Sequence, residues 1–305
     1  MNIGVIGGSG FIGSHIVDKL LDKGHEVTVL DIMKPQRNDV RHLYMDIADL
    51  SKATIALTGY YDVVYMLAAV ADVNDVYQNP VETGQINIIS VANVLEAARR
   101  NKIGRVILAS TIWVYEMATE EKVDENTPFV VSKTQHVYTA SKVAAELYCH
   151  AYQKLYGQNF TILRYGIPYG PGARGATVIA VFVRKALRGE PITIQGDGLQ
   201  YRNFLYVEDL AEGNVSALKK VAINQTYNLE GASPITIREI AETVKKLIQD
   251  VNIEYIEARP GDYGGKIVSA NKAKKELGWE PEVDFEEGMR KYIEWYKGNM
   301  TRKRS

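Results

Sequence analysis

Tyr138 and Lys142 stand four positions apart in the run Tyr138-Thr139-Ala140-Ser141-Lys142. On a helix that spacing puts a phenol and an ammonium on one face. A cation beside a phenol favours the phenolate and lowers its pKa, so the tyrosine can give or take a proton near neutral pH. Upstream, Ser110-Thr111 close the apolar run 105–109. A hydroxyl at the C-terminal end of a parallel strand lies where α/β folds bind ligands. Thr111 is therefore placed to hydrogen-bond a substrate oxygen that Tyr138 protonates. The bland alternative is a hydroxyl that caps the following turn.

A second signal lies at the N-terminus, in Gly7-Gly8-Ser9-Gly10-Phe11-Ile12-Gly13. Glycines at 7, 10 and 13 follow an apolar run and open a helical pattern. The chemistry needs them for a tight turn, a bare backbone beside a pyrophosphate, and close helix–strand packing. The helix N-terminus then offers N–H groups and a partial positive charge to phosphate. Asp31 ends the second apolar run, where a carboxylate can accept hydrogen bonds from ribose hydroxyls and repels a 2′-phosphate. This favours NAD over NADP. A structural glycine turn with an ordinary strand-end aspartate is the competing reading. Asp46-Ile47, after a third strand, is placed to meet the adenine edge.

Alternating elements must position these groups. Strands are expected at 2–6, 26–30, 61–67, 105–109 and 160–163, and helices at 11–23, 83–100 and 138–156. Near-continuous apolar strands separated by helices imply a parallel sheet covered on both faces, an α/β doubly wound Rossmann fold. Beyond about residue 165 the texture changes. Glycine and proline cluster in 166–175 and 189–198, and helices are expected at 178–187, 207–220, 237–250 and 284–297. Residues 1–165 therefore read as a cofactor domain to which about 200–230 return. Residues 166–305 read mainly as a smaller α/β substrate domain.

Composition narrows the partners. The chain has 305 residues, 36 Lys+Arg against 37 Asp+Glu and a net charge of −1, which gives no overall drive toward nucleic acid or an acidic membrane. Its one cysteine, Cys149, precludes an intrachain disulfide and a cysteine-rich metal site, and fits a reducing, cytoplasmic location. The five histidines, 15, 25, 42, 136 and 150, show no ligand spacing, so no metal is expected. His136 reads as a helix-start residue two positions before Tyr138. The longest apolar stretch, 63–70, is too short to span a bilayer as a helix. The start at Met1 shows no signal-peptide pattern, and the basic end 301–305 reads as a frayed terminus.

Taken together, these motifs resemble the extended short-chain dehydrogenases/reductases. More narrowly they resemble the nucleotide-sugar epimerases and dehydratases, the group typified by UDP-galactose (UDP-glucose) 4-epimerase. The resemblance rests on Gly7/Gly10/Gly13, Asp31, Leu67-Ala68-Ala69, Asn87, Ser110-Thr111 with Tyr115, Tyr138/Lys142 and Arg164-Tyr165. It extends to Pro168–Gly172, Gly196-Asp197-Gly198, the run from Arg202 to Asp209, Arg259-Pro260-Gly261-Asp262 and residues 272–281. It implies that Gly7, Gly10, Phe11, Ile12, Asp31, Asp46, Ile47, Leu67, Ala68, Ala69, Asn87, Tyr138, Lys142 and Tyr165 line an NAD site. Lys142 would hold the nicotinamide ribose and lower the Tyr138 pKa. Thr111 would touch a nucleoside diphosphate sugar, whose diphosphate Arg202 and Arg259 would clamp with permanently charged, multi-donor forks. A homodimer through helices near 83–100 and 138–156 is also implied.

Departures from the family pattern sharpen the reaction. The dehydratases carry Asp-Glu after the threonine, and the related decarboxylases keep the Glu. Here the positions hold Ile112 and Trp113, which transfer no protons. A third group uses a cysteine nearby, and Cys149 is far along the chain. What remains is hydride chemistry through Tyr138 and Thr111. The expected activity is 4-epimerisation: C4 is oxidised, the 4-keto sugar rotates, and hydride returns to the other face. A sugar or small-alcohol reductase of the same family, and a non-catalytic NAD-binding protein, are the alternatives. Met66, Ile167 and Glu116 also replace the family's usual His, Asn and Gly.

Overall fold

The computed structural model describes residues 1–257 and 266–302. Its central sheet uses seven strands: β1 (Asn2–Ile6), β2 (Glu26–Asp31), β3 (Arg41–Tyr44), β4 (Val63–Met66), β5 (Arg105–Thr111), β6 (Phe160–Tyr165) and β7 (Gln225–Leu229). The order is β7-β6-β5-β4-β1-β2-β3, and every pairing is parallel. Helices α1 (Phe11–Asp22), α2 (Ser90–Arg100) and α3 (Val137–Tyr156) cover it. Strands covered on both faces must be apolar throughout. Accordingly Ile3, Val5, Val29, Leu30, Val64, Val106, Ile107 and Ile162 are fully buried.

Strand order reverses at β1, which pairs β2 on one side and β4 on the other. The register sets Ile6 beside Met66, Met66 beside Leu108, and Thr111 beside Tyr165. The chain segments that leave β1, β4 and β5 therefore emerge at one sheet edge, the topological switch point where such sheets bind ligands.

Three differences from sequence expectation have physical causes. Strand β5 runs to Thr111, two residues past the apolar run, because Ser110 Oγ donates to the buried Glu146 carboxylate and Thr111 Oγ1 accepts the Trp113 amide. Strand β7 has no apolar signal. Its Asn228 is fully buried, with its amide committed to Tyr115 and the Ser269 carbonyl. The helix expected at 83–100 is broken into Pro80–Gly84, a π-turn at Gln85–Ile89 and α2. Such turns widen the helix locally and here carry Asn87 inward.

Contacts divide the chain into two units. The first contains Met1–Tyr165, Ala211–Leu229 and Ile267–Trp279, so a stretch near the C-terminus joins it as well. Its core packs Val91, Val94, Leu95, Leu108, Cys149 and Ile162 between α2, α3 and the sheet. The second contains Gly166–Leu210 and the described parts of Glu230–Lys266 and Glu280–Ser305. Its core holds Phe182, Ile192, Tyr206, Ile240 and Met289. Its helices include Val178–Leu187, Ile237–Leu247 and Phe285–Arg302. Among the described residues no helix is long and apolar enough to cross a membrane.

Candidate active site

The glycine loop joins β1 to α1 under tight backbone constraint. Gly7 has φ +82°, and a Cβ there would lie 2.7 Å from the Ala68 amide nitrogen. A Cβ on Gly13 would lie 2.1 Å from the Gly7 carbonyl oxygen. The loop is thus a cradle that only bare backbone can form. Gly10 precedes α1 without a side-chain cap, so the first-turn amides, including those of Phe11 and Ile12, have no acceptor within the helix. Asp31 is fixed against this cradle: its carboxylate accepts the Ser9 amide at 3.0 Å and the Met33 amide at 2.9 Å. Each oxygen retains capacity for a hydroxyl donor.

Around it, Leu67 continues from β4 with its amide on the Ile6 carbonyl. Ala68 backs onto Gly7, and Ala69 follows. Asp46 accepts the Ala48 amide, and Ile47 is buried with its carbonyl held by Asn93. Asn87 is committed to the protein. Its amide donates to the Val70 carbonyl and to Ser141 Oγ, and its oxygen accepts the Val70 amide. It braces the loop after β4, and both of its donors are used, so it has no N–H left for a cofactor. Tyr165 is likewise turned inward, its hydroxyl donating to Asn214 at 2.5 Å.

The second cluster forms where α3 crosses β5. Lys142 is buried, and its Nζ donates to the Ala109 carbonyl at 3.0 Å, two residues before Thr111. That Nζ lies 6.0 Å from the centre of the Tyr138 ring, which is itself half-buried. Burial pushes the ammonium down from its ordinary 10.5 to about 8, and the charge of Glu146 partly opposes that. Thr111 accepts the Trp113 amide at 3.2 Å, so it caps the short helical segment Ile112–Met117. Its O–H proton is not used by that bond. The capping role and a ligand role therefore coexist in one hydroxyl.

Sequence spacing alone overlooked Glu146. One turn past Lys142, it accepts Ser110 Oγ at 2.5 Å and a two-pronged ion pair from Arg164 at 3.0 and 2.7 Å. Arg164 also donates to the Tyr115 hydroxyl, which donates to Asn228. All of these groups are buried. The signal was available: residues 138, 142 and 146 repeat at helical spacing on one face. Trp113 sets its ring edge-on to Tyr138 at 6.4 Å and to His136 at 5.5 Å.

In the second unit, Arg202 lies in the short strand Tyr201–Arg202, paired with Ile235–Thr236, and its Nη1 donates to the Tyr201 carbonyl. Arg259 lies outside the described residues. No group of three or more His, Cys, Asp or Glu side chains able to hold a metal ion occurs among the described residues.

Known proteins resemble this chain in sequence and fold. A family model described as the NAD dependent epimerase/dehydratase family matches residues 3–229. A UDP-glucuronate 4-epimerase of Thermodesulfobacterium geofontis is 32% identical, over 97% of this chain and 96% of its own. The crystal structure of a UDP-glucose 4-epimerase from Thermotoga maritima, with UDP-glucose, superposes with a TM-score of 0.89 at 30% identity, covering 98% of this chain and all of that one. A Thermus thermophilus UDP-glucose 4-epimerase in complex with NAD gives 0.83 at 31% identity, over 98% and 99%. The chain belongs to the NAD dependent epimerase/dehydratase family.

Proposed function

We propose that this family member is an NAD-dependent 4-epimerase of a UDP-hexose. The observation that carries the reading is the tie from Lys142 to the Ala109 carbonyl, which seats the ammonium between Tyr138 and the end of the strand bearing Thr111. The residues present fit NAD: the cradle of Gly7, Gly10 and Gly13 leaves room for a pyrophosphate that a Cβ would fill, and Asp31 is anchored beside it. Phe11 and Ile12 amides would meet the phosphates, Asp31 the adenosine ribose, and Asp46-Ile47 the adenine side, with Leu67, Ala68 and Ala69 walling the nicotinamide half. NAD bound there supplies a reversible hydride acceptor.

The chain's own part is proton handling. Tyr138 takes the proton of the C4 hydroxyl, Thr111 hydrogen-bonds the same oxygen, and the Lys142 ammonium favours the phenolate. After the 4-keto sugar turns over, Tyr138 returns the proton to the oxygen on C4. The cycle ends with no net redox change, so no outside reductant is needed. Ile112 and Trp113 offer no acid or base for elimination or decarboxylation. The same family resemblance assigns the diphosphate to Arg202 and Arg259.

Incubation with UDP-glucose, UDP-N-acetylglucosamine and UDP-glucuronate, with the 4-epimers resolved chromatographically, tests the reading. Interconversion of one pair without added reductant is expected. Absence of interconversion with any UDP-, dTDP- or GDP-sugar sinks it, and net consumption of NADH would mark a reductase instead.

A homodimer completes the proposal. Helix α3 exposes Leu147, Leu155 and Tyr156, and Ile89 is exposed just before α2. A second copy packed against α2 and α3 would bury exposed apolar side chains of these segments. The single cysteine, Cys149, a free thiol, supports placing the enzyme in the cytoplasm.

A further inference from the structure

Glu116 stands where the family resemblance leads one to expect glycine, yet its side chain is only 2% exposed. A buried carboxylate is costly unless hydrogen bonds and charge compensate it. Here three donors do. The main-chain amides of Gln135 and His136 reach Oε1 at 3.0 and 3.2 Å, and His136 Nδ1 lies 2.6 Å from Oε2. All three belong to the two residues that lead into α3. His136 is the extended residue (φ −122°, ψ 135°) just before the helix, and its side chain caps none of the helix amides.

Tyr138 is the second residue of that helix. Helix starts fray because their first amides lack partners. The body of α3 is pinned by buried Thr139, Ser141, Lys142 and Ala145. The phenol, however, projects from the first turn, ahead of those anchors. A carboxylate at a helix N-terminus also meets the favourable end of its dipole. Glu116 comes from the segment Ile112–Met117, which Thr111 caps, so it ties the start of α3 to the same turn that follows Thr111. The His136 ring held by Glu116 packs edge-on to Trp113, and Trp113 packs edge-on to Tyr138.

We propose that Glu116 and His136 are positioning residues that fix the start of α3 and thereby set the Tyr138 phenol for proton transfer. The proposal rests on Tyr138 being the proton-transferring residue. A misplacement of about 1 Å at a reacting group costs roughly 100-fold in rate. Glu116→Ala is therefore expected to lower kcat by roughly 30- to 300-fold, while KM for the sugar nucleotide stays within about threefold and bound NAD is retained. Glu116→Gln keeps an oxygen for the two amides and is expected to recover most of that loss. His136→Ala should lose part of it. The double variant should be no worse than Glu116→Ala, because the two residues form one device.

Hydrogen–deuterium exchange of the Gln135 and His136 amides reads the anchor independently of turnover. Exchange faster by about tenfold or more is expected in Glu116→Ala and near-native exchange in Glu116→Gln. A kcat for Glu116→Ala within threefold of wild type, a parallel collapse of KM and NAD content, or unchanged amide exchange would each overturn the proposal. An inactive wild-type chain whose exchange still responds to Glu116→Ala would instead refute the reading of function and leave the anchor established.

Discussion

Lys142 should make the fold less stable at neutral pH while serving its chemistry, and Lys142→Met exposes this. The side chain is 5% exposed, and burial lowers its pKa from 10.5 to about 8. That drop corresponds to about 3 kcal/mol at roughly 1.4 kcal/mol per pK. At pH 7 the amine is protonated in the folded and the unfolded chain, so folding bears the whole desolvation cost. Between pH 8 and 10.5 the folded lysine is neutral while the unfolded one still binds a proton. The unfolded state then binds more protons, and stability rises with pH through that window. Methionine removes the charge but also forfeits the bond to the Ala109 carbonyl, worth about 1 kcal/mol. Lys142→Met should therefore be more stable than wild type by about 2 kcal/mol at pH 7 and less stable by about 1 kcal/mol above pH 10.5. Urea unfolding of both proteins stripped of NAD, at several pH values, measures the difference without the contribution of bound cofactor. A pH-independent difference, or destabilisation of Lys142→Met by more than about 1 kcal/mol at pH 7, would refute the argument. Turnover should be lost at every pH.

Other outcomes follow from the same geometry. Tyr138→Phe should keep its NAD and lose roughly 100- to 10,000-fold in kcat, read by epimer interconversion and by NAD content after denaturation. Gly13→Ala drives a methyl into the Gly7 carbonyl and the Gly8 backbone, and should purify without NAD and unfold about 2 kcal/mol more easily. Glu146→Ala strands the Arg164 guanidinium in the core and should cost about 3–5 kcal/mol in urea unfolding; a loss below about 1 kcal/mol would show the buried pair to be dispensable. Leu155→Glu on the exposed face of α3 should convert a dimer to a monomer in light scattering, with the far-ultraviolet spectrum unchanged.

Local chemistry explains how much of the site could be read from the chain. The glycine spacing was legible because a missing Cβ is a property of the residue itself. Tyr138 and Lys142 were legible because helical spacing fixes which side chains share a face. Strand β7 was not, since Gln225-Thr226-Tyr227-Asn228-Leu229 has no apolar run, and its buried polar groups are satisfied by residues far away in the chain. The hydrogen-bond partners of Asn87 and Tyr165 were not legible for the same reason. A motif names the residue, but its hydrogen-bond partners, Val70 and Ser141 in one case and Asn214 in the other, are chosen by packing.

The sequence by itself determined the doubly wound sheet, the bare-backbone glycine loop and the placing of a phenol and an ammonium on one helix face, because each depends on short-range periodicity or on backbone freedom at named positions. Only the tertiary structure decided the electrostatics. It buried Lys142 against the Ala109 carbonyl, joined Ser110, Glu146, Arg164 and Tyr115 into one network, and set Glu116 under the first turn of α3. Desolvation and hydrogen-bond satisfaction depend on what surrounds a group from every direction, and that environment exists only once distant segments have packed together.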